Sequence, residues 1–209
     1  NKFSDITAMV ALYRPGPMDL IPAFVESKHH PDKVQYPHPD LKPVFEETYG
    51  FMVYQEQAIS VANVMAGYSL GEGDVLRKAI GKKKKSIMDQ QKVEFVRRSV
   101  EHGYQKKVAE EVWGYIEKFA GYGFNKAHAA SYAMVAYRTA YMKALYPVEY
   151  MTALASVESL SHSQQKEERV RMAVEDARRM GIVVLPPDIN KSAVGFSVEK
   201  HPDSLEGLA

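Results

Sequence analysis

The sequence predicts a mainly α-helical protein, and three observations carry that expectation. Apolar residues recur at helical spacing in one segment after another, as in Ile59, Ala62 and Met65, or Val108, Val112, Ile116 and Phe119. Ser69 followed by Glu72 has the form of a capping box, which marks a helix start. Gly and Pro fall between the periodic stretches, where they break helices. Only after Gly181 does the period change, so a short β-containing segment is expected at the C-terminal end.

Along the chain, "SDITAMVALY" is a short helix halted by the prolines and glycine of "RPGP". "DLIPAFVESK" is a short, Pro-interrupted helical piece. "HHPDKVQYPHPDLKP" holds four prolines and no period, and so reads as a loop. A helix follows in "GFMVYQEQAISVANVMAGY". The next runs from the Ser69 cap through "GDVLRKAI" to Gly81, which is read as the C′ residue. The basic stretch after it is an amphipathic helix with Val93, Val96 and Val100 on its apolar side, and "KKVAEEVWGYIEKFAGYG" is another. "GYGFNKAHAASYAMVAYRTAYMKALYP" is one long helix with Asn125 at the N-cap. Pro147 suits the first position of the helix after it.

"SQQKEERVRMAVEDARRMG" places Val170, Ala173, Val174 and Ala177 on one stripe, with Glu167–Arg171 and Glu175–Arg179 as i,i+4 pairs. "IVVLPPDINKSAVGFSVE" then holds two short β-like pieces around a Pro-Pro turn. The expected division is a helical domain over residues 1–180 and the start of a following segment over 181–209. The ending "HPDSLEGLA" reads as a chain cut mid-domain.

Composition narrows the function classes. With no cysteine, disulfides, thiolate metal sites and cysteine nucleophiles are excluded. No apolar run approaches membrane-spanning length, and no signal peptide opens the chain, so a cytoplasmic protein with no membrane partner is expected. Net charge is only +1, but residues 77–107 carry eleven Lys/Arg against three acids, a local excess of +8. Such a block fits a polyanionic partner and fits a solvated helical face equally well.

The motifs that carry chemistry are few. "GYSLGEGDVLRKAIGKKKK" has glycines and cations but not the spacing of a phosphate-cradling loop. Its lysines lie at a helix C-terminus, where the dipole favours them on structural grounds alone. In "FNKAHAASY", Lys126 follows the N-cap at the positive end of the dipole, and His128 and Tyr132 share a face four residues apart. Spacing alone leaves that helix undecided between ligand pocket and packed core. Tyr137, Tyr141 and Tyr146 further along are read as packing. "PDIN" has Asn190 where a second carboxylate would be needed to hold a metal, and His29, His30 and His38 lack metal-ligand spacing, so no metal site is expected.

"ALYRPGPM", "YGFMVYQEQ", "AGYSLGEGDVLRKAIGKKK", "KFAGYGFNKAHAASYAMVAYRTAYMKALYP" and "RMGIVVLPPDIN" occur in that order from about Asp5 to Val198. Together they resemble the fingers region of the C-family polymerases, the bacterial replicative DNA polymerase III alpha subunits. The resemblance implies a multi-helix fingers domain, incomplete at its N-terminal side, followed by a truncated segment. It implies that Arg77, Lys78, Lys82, Lys83 and Lys126 face the triphosphate of an incoming dNTP. His128 and Tyr132 would line the nucleotide pocket, with Arg14, Gln55 and Gln57 shaping it. The family's catalytic aspartates and their Mg²⁺ belong to a palm outside this chain, so no catalytic residue is expected here and the chain alone should be inactive. Primer-template DNA would be a partner, and the parent would reach the sliding clamp and other replicase subunits through regions not in this chain. Where the family pattern has two arginines, this chain has Arg77 and Lys78, and a lysine cannot make a bidentate phosphate contact. The alternative is a stand-alone helical nucleic-acid-binding module using the basic stripe over 77–107; a third reading is a helical protein-interaction domain.

Overall fold

A computed structural model describes residues 2–82 and 85–199, with the side chain of Lys85 left out. Ten α-helices account for most of it: α1 (Phe3–Leu12), α2 (Ile21–His29), α3 (Lys42–Phe45), α4 (Gln55–Ala66), α5 (Leu70–Gly81), α6 (Lys85–Glu101), α7 (Lys106–Phe119), α8 (Lys126–Leu145), α9 (Pro147–Leu160) and α10 (Lys166–Arg179). Single 3₁₀ turns form at Pro17–Leu20, Pro31–Lys33, Pro39–Leu41 and Glu46–Thr48, and the middle two order the proline-rich stretch expected to be loop. The chain divides into two compact units, residues 1–135 and 136–209. No helix among the described residues is long and apolar enough to cross a membrane.

In the first unit, α4, α5, α6 and α7 enclose one core. Val61, Met65, Leu76, Ile80, Phe95, Trp113, Ile116 and Phe119 are all buried there, and the Phe95 and Trp113 rings lie 5.3 Å apart. The Ser69 capping box forms as expected: Ser69 Oγ accepts from the Glu72 N–H at 3.3 Å, and Glu72 Oε2 accepts from the Ser69 N–H at 2.8 Å. Two glycines permit the close approach. Gly67 ends α4 at φ +60°, and a Cβ there would lie 2.5 Å from the His102 imidazole. A Cβ on Gly73 would lie 2.5 Å from Ile59 Cγ2, so α4 and α5 touch through that gap.

A second cluster in the same unit joins Ala8, Ala11 and Leu12 of α1 with Phe24, Val53, Tyr54 and Ala129. Asp5 pins these elements together. It accepts from the Lys2 N–H at 2.9 Å, from Lys28 Nζ at 2.7 Å and from the Tyr49 hydroxyl at 2.8 Å. Burial raises its pKa, but the Lys28, Lys2 and Tyr49 bonds together hold the carboxyl well below the usual carboxylate range. The second unit packs α9 on α10 through Met151, Ala155, Ala173 and Ala177, and Lys143 pairs with Asp176 at 2.5 Å.

Four expectations change. The apolar face of α6 is Met88 and Phe95 with Val96 packed beside them; of the expected valine stripe, Val93 is 71% exposed and Val100 is exposed as well. Phe95 offers more apolar area to Trp113 than the valine stripe does, and that sets the helix rotation. Gly81 is the last residue of α5 and has no positive φ; Lys82 follows it at φ −92°. Tyr137, Tyr141 and Tyr146 stay about half exposed, because α8 buries only the small side chains of Ala129 and Ala133. Among the described residues 181–199 no strand forms: each apolar piece flanking Pro186 and Pro187 lacks a partner to pair with.

Candidate functional site

The site candidates gather where α4 starts and α8 starts. The Gln55 N–H donates to the Phe124 carbonyl at 2.8 Å, next to a single parallel bridge between Tyr54 and Phe124. Arg14 braces the same loop: its guanidinium donates to the Ala11 carbonyl at 2.8 Å and to the Tyr122 carbonyl at 2.6 Å. It lies 4.4 Å above the Phe124 ring. From there rings climb the outer face of α8. Phe124 and His128 are 5.4 Å apart, and His128 and Tyr132 4.8 Å apart. Tyr132, at the top, is 59% exposed and free to receive a further ring.

Asn125 caps α8 as its residue type predicts, with Oδ1 accepting from the His128 N–H at 2.8 Å. The anion that the helix N-terminus invites is supplied from within the chain. Glu56 accepts from Asn125 Nδ2 at 2.8 Å and from the Lys126 N–H at 3.0 Å, and the Lys126 ammonium pairs with Glu47. The same ammonium lies 5.5 Å over the Tyr54 ring. The Tyr54 hydroxyl is buried without a hydrogen-bond partner, and burial followed by the charges of Glu47 and Glu56 pushes its pKa well up.

The cations of α5 are also partnered. Arg77 donates to Asp74 from Nε at 2.9 Å and Nη2 at 2.7 Å, and Lys78 Nζ lies 2.8 Å from the same carboxylate. The Lys78 and Arg77 bonds hold Asp74 below its ordinary pKa. Lys82 is exposed just past the helix end, and Lys83 lies outside the described residues. The end of α5 reaches the α8 loop through one side chain. A Cβ on Gly81 would sit 3.6 Å from Gln55 Nε2, which itself donates to the Gly123 carbonyl at 3.5 Å. No direct contact joins Arg77 or Lys78 to Lys126 among the described residues.

Gln57 has an internal role. Its Oε1 accepts from the Val53 N–H at 2.8 Å and the Tyr54 N–H at 2.9 Å, and its Nε2 donates to Thr48 Oγ1 at 2.7 Å and the Val44 carbonyl at 3.1 Å. Among the described residues, several cations of the basic stripe are paired. Arg98 bonds Glu94 and Glu72 at 2.6 Å each, Arg97 bonds Glu94 at 2.7 Å, and Lys92 lies 3.5 Å from Glu117. The residues that sequence reasoning missed are the acids. Asp74 was legible from its i+3 and i+4 spacing to Arg77 and Lys78, whereas Glu47 and Glu56 lie 79 and 70 residues from Lys126.

Residues 1–103 match the model of the bacterial DNA polymerase III alpha subunit finger domain. The chain is similar to the DNA polymerase III subunit alpha of Borreliella burgdorferi, 46% identical over 198 residues, which are 95% of this chain and 17% of that protein. It is similar to that of Aquifex aeolicus, 43% identical over 211 residues, 100% of this chain and 18% of that protein. It is also similar to that of Caulobacter vibrioides, 47% identical over 199 residues, 95% of this chain and 17% of that protein. The chain thus spans about a sixth of the length of these relatives.

Proposed function

Because the chain belongs to the bacterial DNA polymerase III alpha subunit family, with its first half in the finger domain, we propose that it binds the triphosphate of an incoming dNTP and helps position the nascent base pair. The observation that carries this reading is the convergence on Gln55. The end of α5 and the loop leading into α8 approach one side chain, beside an exposed ladder of rings. Arg77, Lys78, Lys82, Lys83 and Lys126 supply charge to the β- and γ-phosphates, Arg77 as a planar fork and the lysines as point charges. His128 and Tyr132 take the sugar or base face. Arg14, Gln55 and Gln57 keep the loops in register from behind. Contacts to phosphate and ring faces carry no base identity, which suits an enzyme that accepts four nucleotides.

Among the described residues no group of three or more His, Asp or Glu could hold a metal ion. The polymerising step and its Mg²⁺ are assigned to the palm of the parent enzyme, which would act in the cytoplasm on primer-template DNA. The chain by itself is expected to incorporate no nucleotide on a primed template. A stand-alone module gripping duplex through residues 77–107 is not favoured, since Arg97 and Arg98 of that stripe are engaged by Glu72, Glu94 and Glu101. The test is dNTP binding by calorimetry. Arg77→Ala and Lys126→Ala are expected to abolish it. Binding indifferent to both, together with salt-sensitive duplex binding, would overturn the reading in favour of the module.

A further inference from the structure

We propose that Glu47, Glu56 and Asp74 set the phosphate-number specificity of this site: they stand in for ligand oxygens until a polyanion displaces them. The inference rests on the nucleotide-binding reading above and adds residues that reading does not use. Glu56 places its two oxygens on the Asn125 amide and the first backbone N–H of α8, as a phosphate would. Glu47 holds the Lys126 ammonium, and Asp74 holds Arg77 and Lys78 together. The Lys126 ammonium lies 5.5 Å over the ring of Tyr54, whose hydroxyl is buried with no hydrogen-bond partner.

The chemistry of exchange follows from charge. A single phosphate, carrying about −1.5 to −2 at pH 7, returns little more charge than the carboxylate it expels, and it then sits beside the acid it displaced. A triphosphate carries several charges on one chain and meets more than one cation at once, so the displacement is shared. The Lys126–Glu47 pair has side chains 40% and 44% exposed, which makes it cheap to break. Glu56 is held by two donors and yields only to a ligand that satisfies both. The acids thereby penalise orthophosphate and nucleoside monophosphates more than triphosphates.

The experiment titrates orthophosphate, pyrophosphate and tripolyphosphate into the 209-residue chain and its variants by calorimetry. Unsubstituted chain is expected to bind tripolyphosphate most tightly and orthophosphate not measurably. Glu47→Gln and Asp74→Asn should each tighten tripolyphosphate by about two- to five-fold, the scale of an exposed ion pair, and narrow its advantage over pyrophosphate. Glu56→Gln should act in the same direction, and its thermal melt shows whether α8 stays capped; if it does not, Glu47→Gln and Asp74→Asn decide. Unchanged or weaker binding in Glu47→Gln and Asp74→Asn, with binding still abolished by Lys126→Ala, would overturn the stand-in role and leave the site intact. No tripolyphosphate binding at all, or binding indifferent to Lys126→Ala and Arg77→Ala, would overturn the site itself.

Discussion

Replacing Gln57 by Met removes five hydrogen bonds, the longest of them 3.5 Å to the Phe51 carbonyl, while keeping nearly the same volume. Gln57 is 7% exposed, and the Val53 and Tyr54 N–H groups it satisfies belong to residues exposed by 2% and 1%. Water cannot reach those donors once the amide is gone. Thr48 Oγ1 keeps its bond to the Phe51 carbonyl at 2.6 Å, so the main loss is the two stranded N–H groups. At about 1–3 kcal/mol for each buried unsatisfied group, the variant should lose about 2–6 kcal/mol. For a domain of this size that corresponds to a fall in Tm of roughly 5–15 °C. Trp113 is the only tryptophan and lies in the core of the first unit, so its fluorescence during a urea melt reads that unit alone. Gln57→Glu keeps the two acceptor contacts but loses the donor ones and buries a charge, so it should be destabilised as well. A Gln57→Met midpoint within about 0.5 kcal/mol of the unsubstituted chain would refute the reasoning, since that is the scatter of a neutral surface change.

Phe95→Ala should cost about 3–5 kcal/mol by the same fluorescence melt, because the ring is fully buried against Trp113. Val93→Ala, on the exposed side of α6, should stay within about 0.5 kcal/mol. On α5, Gly71→Ala meets no atom within 4 Å and should be neutral or stabilising by up to about 1 kcal/mol. Gly73→Ala drives a methyl into Ile59 and should destabilise; equal melts for the two would sink that packing argument. Bonds from Arg98 and Ser69 lower the Glu72 carboxyl from 4.5 to about 2. Its contribution to stability is therefore present above pH 4.5 and lost as pH falls through that window towards 2. Glu72→Gln should flatten the stability profile there, and an unchanged profile would show that the pair is idle.

What was legible in the sequence was what is local. The Ser69 capping box and the Asn125 N-cap each depend on residues three apart, and both form as expected. The rotation of α6 was not legible, because a valine stripe and the Met88–Phe95 face fit the helical period equally well; Trp113, on another helix, decides between them. Gly81 carried the signal of a helix stop, yet the chain stays helical through it to lie beside Gln55. At the site, His128 and Tyr132 were visible as one face of a helix, and Lys126 as the cation at its N-terminal end. The acids that answer the cations were not, since Glu47 and Glu56 are brought to Lys126 only by the packing of α4 against the α8 loop.

The second cluster of the first unit has a consequence for when the protein can fold. The helices α1 and α2 are made before α8, but the surface they bury includes Ala129, and Arg14 is anchored to Tyr122, 108 residues later. At about 5–20 residues per second, translation leaves those helices waiting roughly 5–20 s for their partner. Meanwhile α4 to α7 can close on one another through short connections, at little cost in chain entropy. The loop carrying Tyr122 and Phe124 then serves as the latch: when it docks, the beginning of the chain and the first turn of α8 become fixed together.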